Sequence, residues 1–236
     1  MKKHFFAVLL AVAASAQSAP PVFEDNMAQR TLACAACHGK EGRAGPDGYY
    51  PRIAGKPAGY LYNQLLNFRD GRRHYGLMTR LLDPLSERYL LEIAQFFAAI
   101  DLPYPQPSAS TASALQLAQG RRLALEGDPQ RRLPACAACH GDALTGVQPN
   151  TPGLIGLPRD YLASQLGAWR GGQRRAHAPD CMADIARQMT LDDISAVTAW
   201  LAVQVPAAGS KPAASLARPA AIACGSASLP AGRQTP

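Results

Sequence analysis

Two identical hexapeptides, Cys34-Ala-Ala-Cys37-His38-Gly39 and Cys136-Ala-Ala-Cys139-His140-Gly141, stand 102 residues apart in this chain. Thiols three residues apart on a turn of helix point the same way. Both can therefore add to the vinyl groups on one edge of a porphyrin, and the imidazole that follows can meet the iron from the proximal side. The small Ala-Ala spacer lets a macrocycle lie close to the backbone. Cys34, Cys37, Cys136 and Cys139 are the expected thioether positions, His38 and His140 the expected axial ligands, and the predicted cofactors are two covalently bound haem c groups containing iron. Other readings fit less well. A redox dithiol belongs after a strand in an α/β pattern, which is not found. A zinc site needs further close ligands, and only the scattered His74, His177, Cys181 and Cys224 remain once the first residues are set aside. A disulfide inside each motif would close a strained ring that staples no loop.

The similarity of the two halves extends well past the hexapeptide. Pro51, Ile53, Gly55, Pro57, Tyr60, Leu61, Gln64, Leu65, Phe68 and Arg69 match Pro152, Leu154, Gly156, Pro158, Tyr161, Leu162, Gln165, Leu166, Trp169 and Arg170 at a constant offset of 101. Beyond Gly71 and Gly172 the second copy gains three residues, and the offset settles at 104, pairing Met78 with Met182 and Phe96 with Trp200. Such agreement marks a duplication. It divides the chain into an export signal at 1–16, a first domain at 17–100, a Pro- and Ser-rich linker at 101–113, a second domain at 114–205 and a tail at 206–236.

The repeat also selects the second axial ligand. Met78 and Met182 occupy equivalent places after polar loops, whereas Met189 aligns with Leu85 and reads as core. A thioether arriving from a loop on the far side of the haem favours ferrous iron and raises its potential. His74 and His177 lie in the same loops but are not equivalent by the repeat, and they read as solvent-exposed.

Apolar spacing predicts helices over 24–36, 59–70, 86–100, 114–126, 160–170 and 190–204. Ser86 and Thr190 supply the capping hydroxyls and Glu87, Asp192 and Asp193 the acidic first turns. No strand-like alternation recurs, so the expected fold is all-α. Each half resembles a class I cytochrome c domain, and the tandem pair resembles the dihaem cytochromes of the cytochrome c4 family. The residues that carry the resemblance are the two Cys-Ala-Ala-Cys-His-Gly motifs, the segments beginning at Tyr60 and Tyr161, and the Met-led stretches at Met78 and Met182. The resemblance covers about residues 24–205. It implies two domains, each wrapped around one covalent haem, related by an approximate twofold, with electrons passing between the haems and on towards a terminal oxidase.

Met1 to His4 is a basic start, Phe5 to Ala14 an apolar stretch and Ala14-Ser15-Ala16 a small-x-small cleavage pattern, the form of a secretory signal. No later apolar run reaches the roughly 18 residues of a membrane span, so periplasmic localisation is expected, with peripheral membrane association left open. Of the formal +7, two charges sit at Lys2 and Lys3 and three at Lys211, Arg218 and Arg233. The two domains are close to neutral, which argues against nucleic-acid binding. Four haem propionates would need cationic partners, and Arg69 and Arg170, equivalent by the repeat, are the candidates for pairing with a propionate or with the domain interface. The Ala-, Pro- and Ser-rich tail is expected to be disordered. Its Cys224 and Cys181, the residue immediately before Met182, read equally as a disulfide or as two thiols.

The function expected is single-electron transfer, with a quinol:cytochrome c oxidoreductase or a dehydrogenase as donor and a terminal oxidase as acceptor. The alternative is the electron-accepting subunit of a flavin- or quinone-dependent periplasmic dehydrogenase. A dihaem peroxidase would need an open iron and acid–base groups beside it, which the sequence does not offer. The protein is expected not to be an enzyme.

Overall fold

The computed structural model describes residues 24–45, 48–107 and 109–230; the signal at 1–16, the start of the first domain at 17–23 and the last six residues of the tail lie outside them. Among the described residues the first half holds five α-helices: α1 (Met27–Arg30), α2 (Leu32–His38), α3 (Ala58–Arg69), α4 (Gly76–Leu82) and α5 (Glu87–Ala99). The single helix expected over 24–36 is broken at Thr31, whose hydroxyl donates to the Met27 carbonyl at 2.7 Å. Back-bonding of this kind competes with helix propagation. The second half runs α6 (Ala114–Leu125), α7 (Ala137–His140), α8 (Arg159–Arg170), α9 (Cys181–Gln188) and α10 (Leu191–Ala202), with a two-residue hairpin of β1 (Gly146–Val147) and β2 (Thr151–Pro152).

The predicted caps form. Ser86 accepts from the Tyr89 N–H, and Thr190 makes a capping box with Asp193. Each half has its own apolar core, one around Tyr62, Leu66, Leu90 and Phe97, the other around Leu123, Leu157, Val197 and Leu201. In the second, α6 lies directly on α10. Gly120 permits this approach, since a Cβ there would stand 2.1 Å from the Ala196 carbonyl oxygen and 2.8 Å from the Trp200 Cβ.

The connection between the halves is held by Arg52. Its guanidinium donates to the carbonyls of Pro103 at 2.8 Å and Leu102 at 2.5 Å, and lies over the Tyr104 ring. Residues 206–230, expected to be disordered, instead run as an irregular segment over both halves. Ala213 exchanges backbone hydrogen bonds with Gly146 and Gln148, the Lys211 ammonium meets Asp101, and Asn63 binds Ser226 and Ala227. The composition of this segment forbids a core of its own, and the two finished halves supply the surface and hydrogen-bond partners it lacks. Cys181 and Cys224 are joined as a disulfide.

Candidate functional site

The hexapeptides occupy α2 and α7, whose last residues are His38 and His140. Both imidazoles are buried. The His38 Nδ1 stands 2.8 Å from the Pro51 carbonyl, and the His140 Nδ1 stands 2.7 Å from the Pro152 carbonyl. A carbonyl only accepts, so Nδ1 carries the proton in each case and Nε2 is left with a free lone pair. That is the tautomer and orientation a metal-ligating histidine requires. Burial lowers both imidazole pKa values against the opposing pull of the proline carbonyls, which favours the neutral, ligating form. The proline partners are themselves equivalent by the repeat.

Cys34, Cys37, Cys136 and Cys139 are free although another pair in the same chain is bonded. Burial raises the Cys34 thiol and pushes Cys136 up to about 11. In the second half a cavity of about 510 Å³ brings Cys136, Cys139, His140 and Met182 to one space, lined also by Leu162 and Leu201. In the first half Cys34 and Met78 pack against the same core. The methionines do not sit in loops, as expected; Met78 lies in α4 and Met182 in α9. These helices have seven and eight residues, too few for their periodicity to stand out in the sequence. Met189 is buried core, as read. His74 is exposed, whereas His177 is half-buried and accepts from the Arg72 guanidinium at 3.2 Å.

Arg69 and Arg170 do not reach across to the opposite half. Arg69 pairs with Asp70 and Glu87 on the surface, and Arg170 donates to the Met189 carbonyl. Among the contacts between halves, a symmetric one is made by Arg73 and Arg174, also 101 apart. Arg73 donates to Gln64 at 2.9 Å and across to Gln165 at 2.8 Å; Arg174 donates to Gln165 at 2.6 Å and across to Gln64 at 2.9 Å. Arg73 lies over Phe68 and Arg174 over Trp169, again equivalent rings. The result is a local twofold of two guanidiniums and two carboxamides. Its sequence signal was the offset of 101 continuing two residues past Gly71.

No protein-family model matches the chain. The chain is 36% identical over 201 residues to the thiosulfate dehydrogenase electron acceptor of Thiomonas intermedia, spanning 84% of this chain and 87% of that one. It is 32% identical over 174 residues to cytochrome c4 of Pseudomonas aeruginosa, spanning 73% and 84%. The chain belongs to the cytochrome c4 family. A solved structure of thiosulfate dehydrogenase from Marichromatium purpuratum superposes with a TM-score of 0.66 at 31% identity, over 74% of this chain but only 37% of that longer one.

As a member of the cytochrome c4 family the protein is an all-α electron carrier rather than an enzyme, and it carries two covalently bound haem c groups. The residues present fit that cofactor. Besides the oriented imidazoles, the cavity wall includes two buried donors, Trp169 Nε1 and Arg174 Nε, that lack a hydrogen-bond partner among the described residues. Lys56 lines the same wall with no hydrogen bond or ion pair among the described residues, and burial pulls its ammonium down to about 8. Unsatisfied donors and a cation without an ion pair on the wall of an apolar cavity suit an apolar group that carries anionic substituents, which is how a haem presents its propionates.

Proposed function

We propose that His38 and Met78 hold the iron in the first half and His140 and Met182 in the second, with thioethers at Cys34, Cys37, Cys136 and Cys139, and that the protein accepts single electrons from a periplasmic dehydrogenase. The observation that carries this reading is the matched pair of Nδ1–H to proline carbonyl hydrogen bonds, which presents two free Nε2 atoms at equivalent points of the duplication. The bound haem supplies the one-electron chemistry. This chain's residues orient the imidazoles, surround them with apolar side chains and place the Arg73–Arg174 pair beside the junction. No substrate bond is broken by these groups.

The donor we propose is a dehydrogenase that oxidises thiosulfate, because relatives at 36% identity bear the name of its electron acceptor. A terminal oxidase is the acceptor of choice. The signal-like residues 1–16 support periplasmic localisation, and among the described residues no helix is long and apolar enough to cross a membrane. The name cytochrome c4 at 32% identity favours a second reading, a shuttle fed by a quinol-oxidising complex.

The test is the haem-to-protein ratio with the ferric near-infrared spectrum, followed by mixing with each donor. Two haems with a full methionine charge-transfer band, reduced by the thiosulfate-oxidising dehydrogenase and its substrate, are expected. One haem, or a half-strength band, overturns the ligand assignment; reduction by the quinol-oxidising complex alone overturns the donor.

A further inference from the structure

The duplication provides an internal control, because whatever is found around one haem site alone is not required for the fold. The loop leading to Met78 is tied down within its own half, where the Tyr75 and Tyr50 hydroxyls meet at 3.1 Å and the Tyr50 ring packs edge-on to His38. The corresponding positions of the second half are Pro179 and Thr151, which cannot make that contact. The loop leading to Met182 is also three residues longer. It lacks the tyrosine tie and is held within itself by Asp180, which accepts from the Ala176 N–H at 2.7 Å and from the Ala183 N–H at 3.1 Å.

The tail restores what is missing. Cys181, immediately before Met182 and at the first turn of α9, is bonded to Cys224. The next residue donates its N–H to the Pro179 carbonyl at 2.8 Å, so the tail lies on the backbone of the methionine loop. It lies so close that a Cβ on Gly225 would stand 2.3 Å from the Ala178 carbonyl oxygen and 2.4 Å from that of His177. One residue further, Ser226 accepts from Asn63 of α3 at 2.7 Å, and the Ala227 N–H returns a bond to the same side chain at 2.8 Å. The other end of the segment is fixed to β1 through Ala213. Between these anchors Leu216 and Ile222 line the cavity that holds Cys136, His140 and Met182.

We propose that residues 206–230 form a clasp and that its Cys181–Cys224 disulfide is a positioning device, keeping the Met182 thioether at the second iron and excluding competing ligands there. The clasp rests on the assignment of Met182 as an axial ligand. Its experiment separates the two claims. The wild-type ferric holoprotein is examined first: a methionine band worth two haems upholds the assignment, and a band worth one or none refutes it whatever the clasp does.

The disulfide is then removed as the double variant Cys181→Ala/Cys224→Ala, which leaves no freed thiol beside the iron, and imidazole is titrated as the competing ligand. The expected result is a methionine band reduced towards half and imidazole binding at one haem tightened by about tenfold, or about 1.4 kcal/mol. A full band with unchanged imidazole affinity overturns the proposal, even if the melting temperature falls, because a staple without a positioning role would behave that way. Gly225→Val keeps the disulfide but forces the strap off the loop, and it carries the test should the double variant fail to take up haem. A smaller tightening in the same direction is expected, and none would count against the clasp.

Discussion

Arg73 and Arg174 are nine-tenths or more buried, carry like charges and share two neutral glutamine oxygens. Burial, with the Arg73 charge added to it, brings the Arg174 guanidinium down to about 10, so it remains protonated at neutral pH. A buried cation without a carboxylate is costly, and the propionates of the second haem would relieve that cost at the unsatisfied Arg174 Nε. Arg174→Met is therefore expected to lower the potential of the second haem, since losing a positive charge favours ferric iron. Coulomb's law at an effective dielectric of about 20 puts the effect at roughly 1–2 kcal/mol for separations of about 8–16 Å. Arg69→Leu should leave both potentials unchanged, because Arg69 is engaged with Asp70 and Glu87 on the surface. Potentiometric titration of the two variants side by side checks both statements. The Cys-Ala-Ala-Cys-His positions could be singled out because covalent attachment requires a rigid local spacing, and Met78 and Met182 only because the duplication sets them at equivalent places. The arginine pair was less legible: Arg69 and Arg170 satisfy the same offset, and only the turn after α3 decides which side chain folds back over its own aromatic ring and which pairs with Asp70 and Glu87.

At the level of elements, α6 and α10 form the frame of the second half, and Gly120 sets their separation. Gly120→Ala would drive a methyl group into the Ala196 carbonyl and the Trp200 Cβ. Overpacking of this kind costs about 1–3 kcal/mol, and thermal melting should show a loss in that range with the haem content preserved. The start of α10 is fixed to the chain before α7 by Asp193, which accepts from Arg131 at 2.6 Å and from the Thr190 N–H at 2.8 Å. Burial pushes the Asp193 carboxyl up, but the Arg131 guanidinium and the Thr190 hydrogen bonds outweigh it and hold the carboxyl at about 2. Because the folded value lies below the ordinary aspartate value near 3.9, its contribution of about 2 kcal/mol is complete above roughly pH 5 and fades as the pH falls towards 2. Asp193→Asn should be less stable at pH 7 and lose less on acidification, as denaturant titrations across that range would reveal. The long helices were readable from periodicity and caps. α4 and α9 were not, because seven or eight residues give two turns, and their formation rests on the packing of the Met-led stretches against α3 and α8.

Across the whole molecule, the two halves meet through the Arg–Gln network, the Arg175 N–H to Arg72 carbonyl bond at 2.7 Å and the Tyr60 N–H to Pro149 carbonyl bond at 3.2 Å. The tail adds a further connection that composition could not reveal, since a segment unable to fold alone can still be ordered by surfaces made elsewhere. Its disulfide spans 43 residues of sequence. The chain-entropy relation gives such a closure a stabilising effect of about 4 kcal/mol, exerted on the unfolded state. That figure applies to the second half, because Cys181 and Cys224 both lie beyond Ser113. Calorimetry of the holoprotein should therefore show the halves melting together in the wild type, held by the interface and the tail. In Cys181→Ala/Cys224→Ala the second half should melt first, with a separate transition at lower temperature, while the first half keeps its own core of Tyr62, Leu66, Leu90 and Phe97. A single transition shifted as a whole would instead mean that the Arg–Gln network and the backbone bonds at the junction suffice to couple the halves without the tail.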